Sequence, residues 1–233
     1  MSAPGSGTPS PGWMDRLAHD LRGALTPVQI AVDLLRNDRL DPSKRSQLLD
    51  VIDRQNRRLG AMIDEISDCV CAEQGHLIMR REEADLAMLL DGIGQPAPCA
   101  APAIRLGPGT DRLRLQGDTA RLGQLLRTLV AVRLARDDTQ PARIDIGLAT
   151  PARVRVRRHI ACTGGAVEQA EKLLDAPLPD PLDGGLGLGL LVARAIAEAH
   201  HGSLRMRAIN ADTIELVLEL PLAGTPATSV SAD

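Results

Sequence analysis

The sequence predicts an α+β fold in two parts: a helical hairpin that forms a dimeric four-helix bundle, followed by a two-layer α/β sandwich. Over residues 13–72, apolar side chains recur every three or four positions, as on one face of a helix. Beyond residue 73, short runs alternate apolar and polar residues, as half-buried strands do. With 233 residues, 44% of them hydrophobic, the chain is long enough to bury a core in each part.

Composition excludes several classes of function. The chain has no Phe, no Tyr and one Trp, and a net charge of -3, so neither a base-stacking platform nor a basic face for nucleic acid is expected. No apolar run reaches the roughly 20 residues of a membrane span, and we expect a cytoplasmic protein that does not bind membranes. The four cysteines match no zinc-ligand spacing, so no metal site is expected from them.

The hairpin occupies residues 13–72, after a Gly-, Pro- and Ser-rich lead over residues 1–12 that we expect to be disordered. The first helix ends near Asn37, and Pro42 begins the second. A lone hairpin would leave both apolar faces half exposed, which predicts a homodimer. The two faces consist of Leu17, Leu21, Ala24, Val28, Val32 and Leu35 on the first helix, and of Leu48, Ile52, Leu59, Met62, Ile63, Ile66 and Val70 on the second.

The second domain spans residues 73–222, and residues 223–233 form an expected flexible tail. A Pro- and Gly-rich stretch from Gly94 to Gly109 is expected to be a flexible insert. Asp118 is placed to cap a helix whose apolar face is formed by Leu122, Leu125, Leu126 and Leu129. Other helices are predicted at 85–93, near 165–174 and at 187–200, and strands at 112–115, 142–149, 152–158, 203–208 and 213–220.

His19 is the strongest candidate for chemistry. It lies two residues from both Leu17 and Leu21, which places it nearly opposite the apolar face and toward solvent. As a bare pattern, an exposed histidine followed by an acid is most often an ordinary surface residue. The functional interpretation is that Asp20 holds a neutral imidazole that attacks a phosphoryl group. The other histidines, His76, His159, His200 and His201, are assigned no chemistry.

The segment around His19 resembles the phosphoacceptor box of dimeric histidine kinases, H-[ED]-[LI]-R followed by Pro-Leu. The matching residues are His19, Asp20, Leu21, Arg22 and Leu25, while Ala24 replaces the Pro and Gly23 the usual Thr or Asn. Further along, residues 53–90 resemble the second hairpin helix and its joint, 117–130 the approach to the asparagine box, and 184–204 the glycine lid of the GHKL ATPase fold.

This resemblance implies a role for each matching residue. His19 would accept the phosphoryl group, Asp20 would orient its imidazole, and Arg22 would offset phosphoryl charge. Gly185, Gly187 and Gly189 would let backbone amides approach the phosphates of ATP, bound with Mg²⁺. A dinucleotide fingerprint does not fit their G-x-G-x-G spacing, although a plain flexible loop before a helix does. The implied partners are a response-regulator receiver domain and a second copy of the chain.

Two departures from the family bear on the source of phosphate. The magnesium-binding Asn corresponds to Val132, with Thr128 at another frequent Asn, and the adenine-binding Asp corresponds to Arg158. Valine cannot coordinate a hard cation and arginine cannot accept the adenine proton. The glycines that follow the Asp in the family become Ile160 and Cys162.

Three functions therefore remain open. The protein is a histidine kinase that uses ATP, an ATP-independent histidine phosphotransferase, or a catalytically silent dimeric scaffold that binds a regulator.

Overall fold

The computed structural model describes residues 11–36, 40–93, 102–110, 112–162, 167–179, 181–182 and 184–224, with side chains from residue 15. The chain divides into two compact units. The first is Met1–Ser67 with Asp183–Leu186, and the second is Asp68–Leu182 with Gly187–Asp233. The predicted helical hairpin followed by an α/β domain is confirmed.

The first unit is built on two long helices, α1 (Pro11–Leu35) and α2 (Pro42–Glu73). Residues 68–73 of α2 belong to the second unit. The fixed φ of proline suits a first helical turn, and both helices begin with one. Residues 11 and 12, expected to belong to a disordered lead, are therefore helical, while residues 1–10 lie outside the described part. The first helix also ends at Leu35, two residues earlier than expected.

Two alanines and one methionine form the buried line of the hairpin. Ala24, Ala31 and Met62 are at most 1% exposed. Large apolar side chains stay accessible on the same two helices, and Val32 and Ile63 among them belong to the predicted apolar faces. The hairpin of a single chain thus leaves much of its apolar surface uncovered: Leu25, Ile30, Val32, Leu34, Leu49 and Ile63 are 39–60% exposed.

The second unit contains two sheets. Strands β1 (Glu82–Asp85) and β3 (Arg114–Gly117) form an antiparallel pair. The main sheet has the order β2-β4-β5-β7-β6, in which only the β2–β4 pair is parallel. Its strands are β2 (Ala103–Leu106), β4 (Arg143–Thr150), β5 (Arg153–Ala161), β6 (Ser203–Asn210) and β7 (Thr213–Pro221).

Helices cover one face of the main sheet. They are α3 (Leu86–Asp91), α4 (Thr119–Ala131) and α5 (Gly189–Ala199), together with a 3₁₀ turn at Ala170–Leu174. The predicted apolar face of α4 is buried, with Leu122, Leu125, Leu126 and Leu129 at most 2% exposed. These leucines pack in one core with inward-facing residues of the sheet such as Val156 and Leu218. Alternation along each strand leaves the opposite face of the sheet polar.

Three local expectations need correction. Within the stretch from Gly94 to Gly109, expected to be a flexible insert, residues 103–106 form β2; residues 94–101 lie outside the described part. The strand expected at 112–115 runs two residues later, from Arg114 to Gly117. The helix expected near 165–174 is a single 3₁₀ turn over its described residues. Among the described residues, no helix is long and apolar enough to cross a membrane.

Candidate functional site

The His19 side chain is held on the outside of α1. It is 84% exposed, whereas Ala24 and Ala31, on the buried face of the same helix, are at most 1% exposed. The exposed position expected for His19 from the helical spacing is therefore what the structure shows. An imidazole in this place is reachable by a reacting group on another molecule.

The carboxylate of Asp20 lies beside the His19 ring, with Oδ1 at 3.2 Å from Nδ1. An ionised carboxylate only accepts hydrogen bonds, so this contact places the proton of a neutral ring on Nδ1. The lone pair is then on Nε2, which faces solvent. Asp20 is held in turn by Arg16, whose Nε lies 3.9 Å from Oδ2. The i,i+4 spacing of Arg16 and Asp20 is a signal for this contact that sequence reasoning missed.

Arg22 lies one helical turn after His19, on a neighbouring part of the surface. Its side chain is exposed and has no ion-pair partner among the described residues. Its backbone oxygen accepts a hydrogen bond from Thr26 Oγ1 at 2.8 Å. Pro27, inside the helix, has no N–H to give to the carbonyl of Gly23. The helix is therefore weakened one turn beyond His19. This weak point was not predicted from the sequence.

The three glycines predicted to bind phosphate occupy different environments. Gly187 has φ +78°, and a Cβ there would lie 2.6 Å from the Leu178 carbonyl oxygen. Leu178 also donates its N–H to the Gly187 oxygen at 3.0 Å. Close backbone packing therefore requires glycine at 187 without any ligand. Gly189 is the first residue of α5, next to the methyl group of Thr128.

Gly185 lies in the short segment of the chain that belongs to the first unit. Its neighbours are bonded within that unit. The Gly184 oxygen accepts from Arg58 Nε at 2.8 Å, and the Leu186 N–H donates to Glu65 Oε1 at 3.2 Å. The Leu186 amide is thus engaged by a carboxylate, so a phosphate oxygen at that amide would have to displace Glu65.

Arg158, at the position that the resemblance gives to the adenine acceptor, is 2% exposed. Its guanidinium donates to the Leu129 oxygen and, at 2.6 Å, to the Val132 oxygen, at the end of α4. A helix C-terminus favours a cation there. Burial lowers the pKa of Arg158 to about 9, helped by the charge of Arg133 and opposed by Asp138. The Nε atom has no hydrogen-bond partner.

These residues do not fit a magnesium-bound nucleotide in the way that the resemblance implies. Val132 is the C-cap residue of α4 and has no side-chain oxygen. The charges next to it are the guanidinium groups of Arg133 and Arg158, and Arg133 Nη1 donates to the Val132 oxygen at 3.0 Å. Among the described residues, no three His, Cys, Asp or Glu side chains are grouped as metal ligands.

The chain is similar to a known domain family over the hairpin and to known proteins over most of its length. Residues 13–75 match the His Kinase A (phospho-acceptor) domain. The chain is 28% identical over 207 residues to the sensor protein ChvG of Rhizobium meliloti, covering 81% of this chain and 35% of that protein. It is 26% identical over 228 residues to the sensory/regulatory protein RpfC of Xanthomonas campestris, covering 91% and 31%. The chain thus spans about a third of the length of these relatives.

Solved structures show the same fold. Acinetobacter baumannii histidine kinase AdeS matches with a TM-score of 0.60 at 16% identity, over 88% of this chain and 98% of that one. Full-length ShkA in complex with AMPPNP matches with a TM-score of 0.60 at 19% identity, over 92% and 47%. The resemblance to the histidine kinase core is thereby confirmed for the phospho-acceptor segment and for the fold.

Proposed function

We propose that this chain, with a phospho-acceptor domain at residues 13–75, is a two-component signalling protein of histidine kinase type that is phosphorylated on His19. The observation that carries the proposal is the His19 ring, 84% exposed and with Nδ1 at 3.2 Å from Asp20. Such a ring combines access for a large phosphoryl donor with a fixed tautomer. The similarity to the sensor protein ChvG over 81% of the chain supports it.

The chemistry follows from the tautomer. Nε2 attacks the phosphorus of the donor, the N–P bond forms, and the P–O bond to the leaving group breaks. The ring becomes cationic, and the carboxylate of Asp20 stabilises that charge through the Nδ1 proton. Arg22 offsets the charge of the phosphoryl oxygens. A carboxylate oxygen of the partner then attacks phosphorus, the N–P bond breaks, and an acyl phosphate forms.

The partner in this proposal is the receiver domain of a response regulator, which supplies the aspartate. The second partner is another copy of the chain, because the exposed apolar side chains of α1 and α2 need a cover. Cytoplasmic location stays a prediction.

Two donors are compatible with this chemistry. ATP is supported by the similarity to relatives such as the sensor histidine kinase TrcS and by a fold shared with ShkA, which was solved with AMPPNP. A phosphorylated receiver domain, as in an ATP-independent histidine phosphotransferase, is supported by the buried Arg158 and by Val132. The transfer of a phosphoryl group to His19 is the same step with either donor.

A labelling experiment tests the proposal. The purified chain is incubated with γ-labelled ATP and Mg²⁺, and separately with a labelled phospho-receiver domain. We expect acid-labile label on the protein from at least one donor and none on His19→Gln. His76→Gln, a change at another exposed histidine, is the control and should be labelled normally. Label that persists in His19→Gln, or no label from either donor, would overturn the proposal. The absence of label from either donor would favour the catalytically silent dimeric scaffold.

A further inference from the structure

The outer face of the main sheet, the one not covered by helices, carries arginines on the two strands that flank β7. Four of them line a depression of about 280 Å³. Glu215, Val217 and Glu219 of β7, the strand between β5 and β6, run between them. We call this surface the arginine face; its four arginines are Arg155 and Arg157 on β5 and Arg205 and Arg207 on β6.

The two glutamates of the arginine face are already paired. Glu219 Oε1 lies 2.7 Å from Arg155 Nη2. Glu215, whose side chain is 4% exposed, bonds the guanidinium of Arg207 and lies 3.5 Å from His159 Nε2. Neither carboxylate is therefore left to neutralise a further arginine.

Arg157 and Arg205 are the two unneutralised charges. Both pair with Val217 in the register of the sheet, so they lie in one row, two strand spacings apart, or about 10 Å between Cα atoms. Both side chains are exposed, and the described residues give neither of them an ion pair or a hydrogen bond. Two like charges above an apolar side chain repel each other, and an anion between them would bind both.

The arginine face continues toward the edge of the sheet. A second depression, of about 400 Å³, shares Arg155 and Arg157 and extends across β4 to β2. Arg105 and Asp145, which line it, lie 3.8 Å apart between Nε and Oδ1. Gly147, also in this lining, has no side chain to fill it. Asp145 pairs with Arg157 in the register of the sheet, but its carboxylate is engaged by Arg105.

These features favour one class of occupant. Nucleic acid or anionic lipid prefers a continuous basic surface, which Asp145, Glu215 and Glu219 interrupt here. The absence of Phe and Tyr from the chain also leaves no aromatic rings to stack on bases in this domain. We propose that the arginine face is a docking surface for an acidic segment of a partner protein. Its carboxylates lie between Arg157 and Arg205, above Val217.

The test uses the full chain and a fluorescein-labelled peptide of repeated Glu-Glu-Leu units, with binding followed by fluorescence anisotropy. We expect the variant Arg157→Ser/Arg205→Ser to bind at least about tenfold more weakly, with a flatter salt dependence. Arg45→Ser/Arg54→Ser removes the same charge from exposed positions of α2 and should bind like the unchanged chain. Thermal unfolding of the first variant should be unchanged or slightly higher, because it removes a repulsion.

Three results would overturn the docking surface. They are equal affinity of the two double variants, no preference for the peptide over its Gln-Gln-Leu analogue, and tighter binding to oligothymidine or phosphatidylserine vesicles than to the peptide. If the double serine variant does not fold, peptide affinity is measured for the single variants Arg157→Ser and Arg205→Ser. Each should then show part of the loss of affinity expected for the double variant. Binding is measured without phosphorylation, so the outcome is independent of His19.

Discussion

Water reaches His19 and Arg158 to very different extents, and this sets what each residue can do. The His19 ring is 84% exposed and is fixed by a single contact with Asp20. Arg158 is 2% exposed and its charge is met by helix-end carbonyls rather than by a carboxylate. An exposed ring can meet a second molecule, whereas a buried cation at the end of α4 restricts what can bind there.

Replacing Asp20 by Asn tests the role of the His19 tautomer. The amide no longer selects the Nδ1 proton or stabilises the cationic ring, so we expect the initial rate of labelling to fall by roughly 100-fold. Asp15→Asn, one turn earlier on the same helix and exposed, should leave the rate unchanged. Equal rates for the two variants would show that Asp20 has no part in the chemistry.

Replacing Arg158 by Gln tests the buried charge through pH. The pKa of Arg158 is about 9 in the folded chain and higher when unfolded, so above pH 9 the unfolded chain holds more protons. The unchanged chain should therefore gain stability relative to Arg158→Gln as pH rises above 9, by up to about 1.4 kcal/mol per pH unit. Urea unfolding of both chains at several pH values gives this difference. A difference that does not vary with pH would contradict a buried, charged Arg158.

At the level of elements, the start of α4 is fixed by one network. Asp118 Oδ1 accepts from the Arg121 N–H, and Oδ2 accepts from the N–H groups of Met79 and Arg80. Burial tends to raise the pKa of Asp118, but these amides outweigh it, so the pKa is lowered and their stabilisation is lost as acid protonates the group. The Asp118 N–H donates to His200 Nε2 at 3.0 Å.

His200 belongs to the same network; it is the C-cap residue of α5 and is 3% exposed. Its Nδ1 lies 2.7 Å from the Ile196 oxygen, and burial lowers its pKa. The neutral ring therefore links the end of α5 to the start of α4. Stability from this ring is present above the ordinary pKa of histidine and is lost as the pH falls below it.

Gly117→Ala tests the packing of this junction. A Cβ at Gly117 would lie 2.1 Å from His200 Cδ2, and the ring is held at both nitrogens. We expect a loss of about 1–3 kcal/mol in the free energy of unfolding, measured in urea. In a His200→Ala background the same change should cost much less, because the obstructing ring is gone. An equal cost in both backgrounds would refute the contact.

The elements that sequence predicts well are those with strong local signals. The Asp118 cap and the four leucines of α4 are seen in the structure as expected, because both depend on spacing within one helix. Strand β2 was missed because its four residues lie in a Pro- and Gly-rich stretch and pair in parallel with β4. The burial of Arg158 depends on carbonyls 26 and 29 residues away, which no local pattern reveals.

At the level of the whole molecule, the hairpin and the α/β domain differ in how fully each buries its apolar side chains. The α/β domain has a core enclosed between sheet and helices. The hairpin buries Ala24, Ala31 and Met62 fully but leaves several leucine, isoleucine and valine side chains accessible. A second hairpin packed on this surface would supply the missing cover.

Ile63→Glu tests this pairing. Ile63 is 60% exposed on the predicted apolar face of α2, and a charge there should turn a dimer into a monomer. Sedimentation gives the mass directly. Met88→Glu is the control, since Met88 is 75% exposed on α3 and its replacement should leave the dimer intact. A monomeric unchanged chain, or a dimer that survives Ile63→Glu, would contradict the pairing.

The central claim, that His19 carries a phosphoryl group on the nitrogen that Asp20 leaves free, is tested most directly by ³¹P NMR of the labelled chain. Phosphohistidine isomers differ in chemical shift and in coupling to the ring protons. The account predicts one phosphoramidate resonance, on Nε2 of His19 and absent from His19→Gln. Phosphate on Nδ1, or on any residue other than His19, would contradict it.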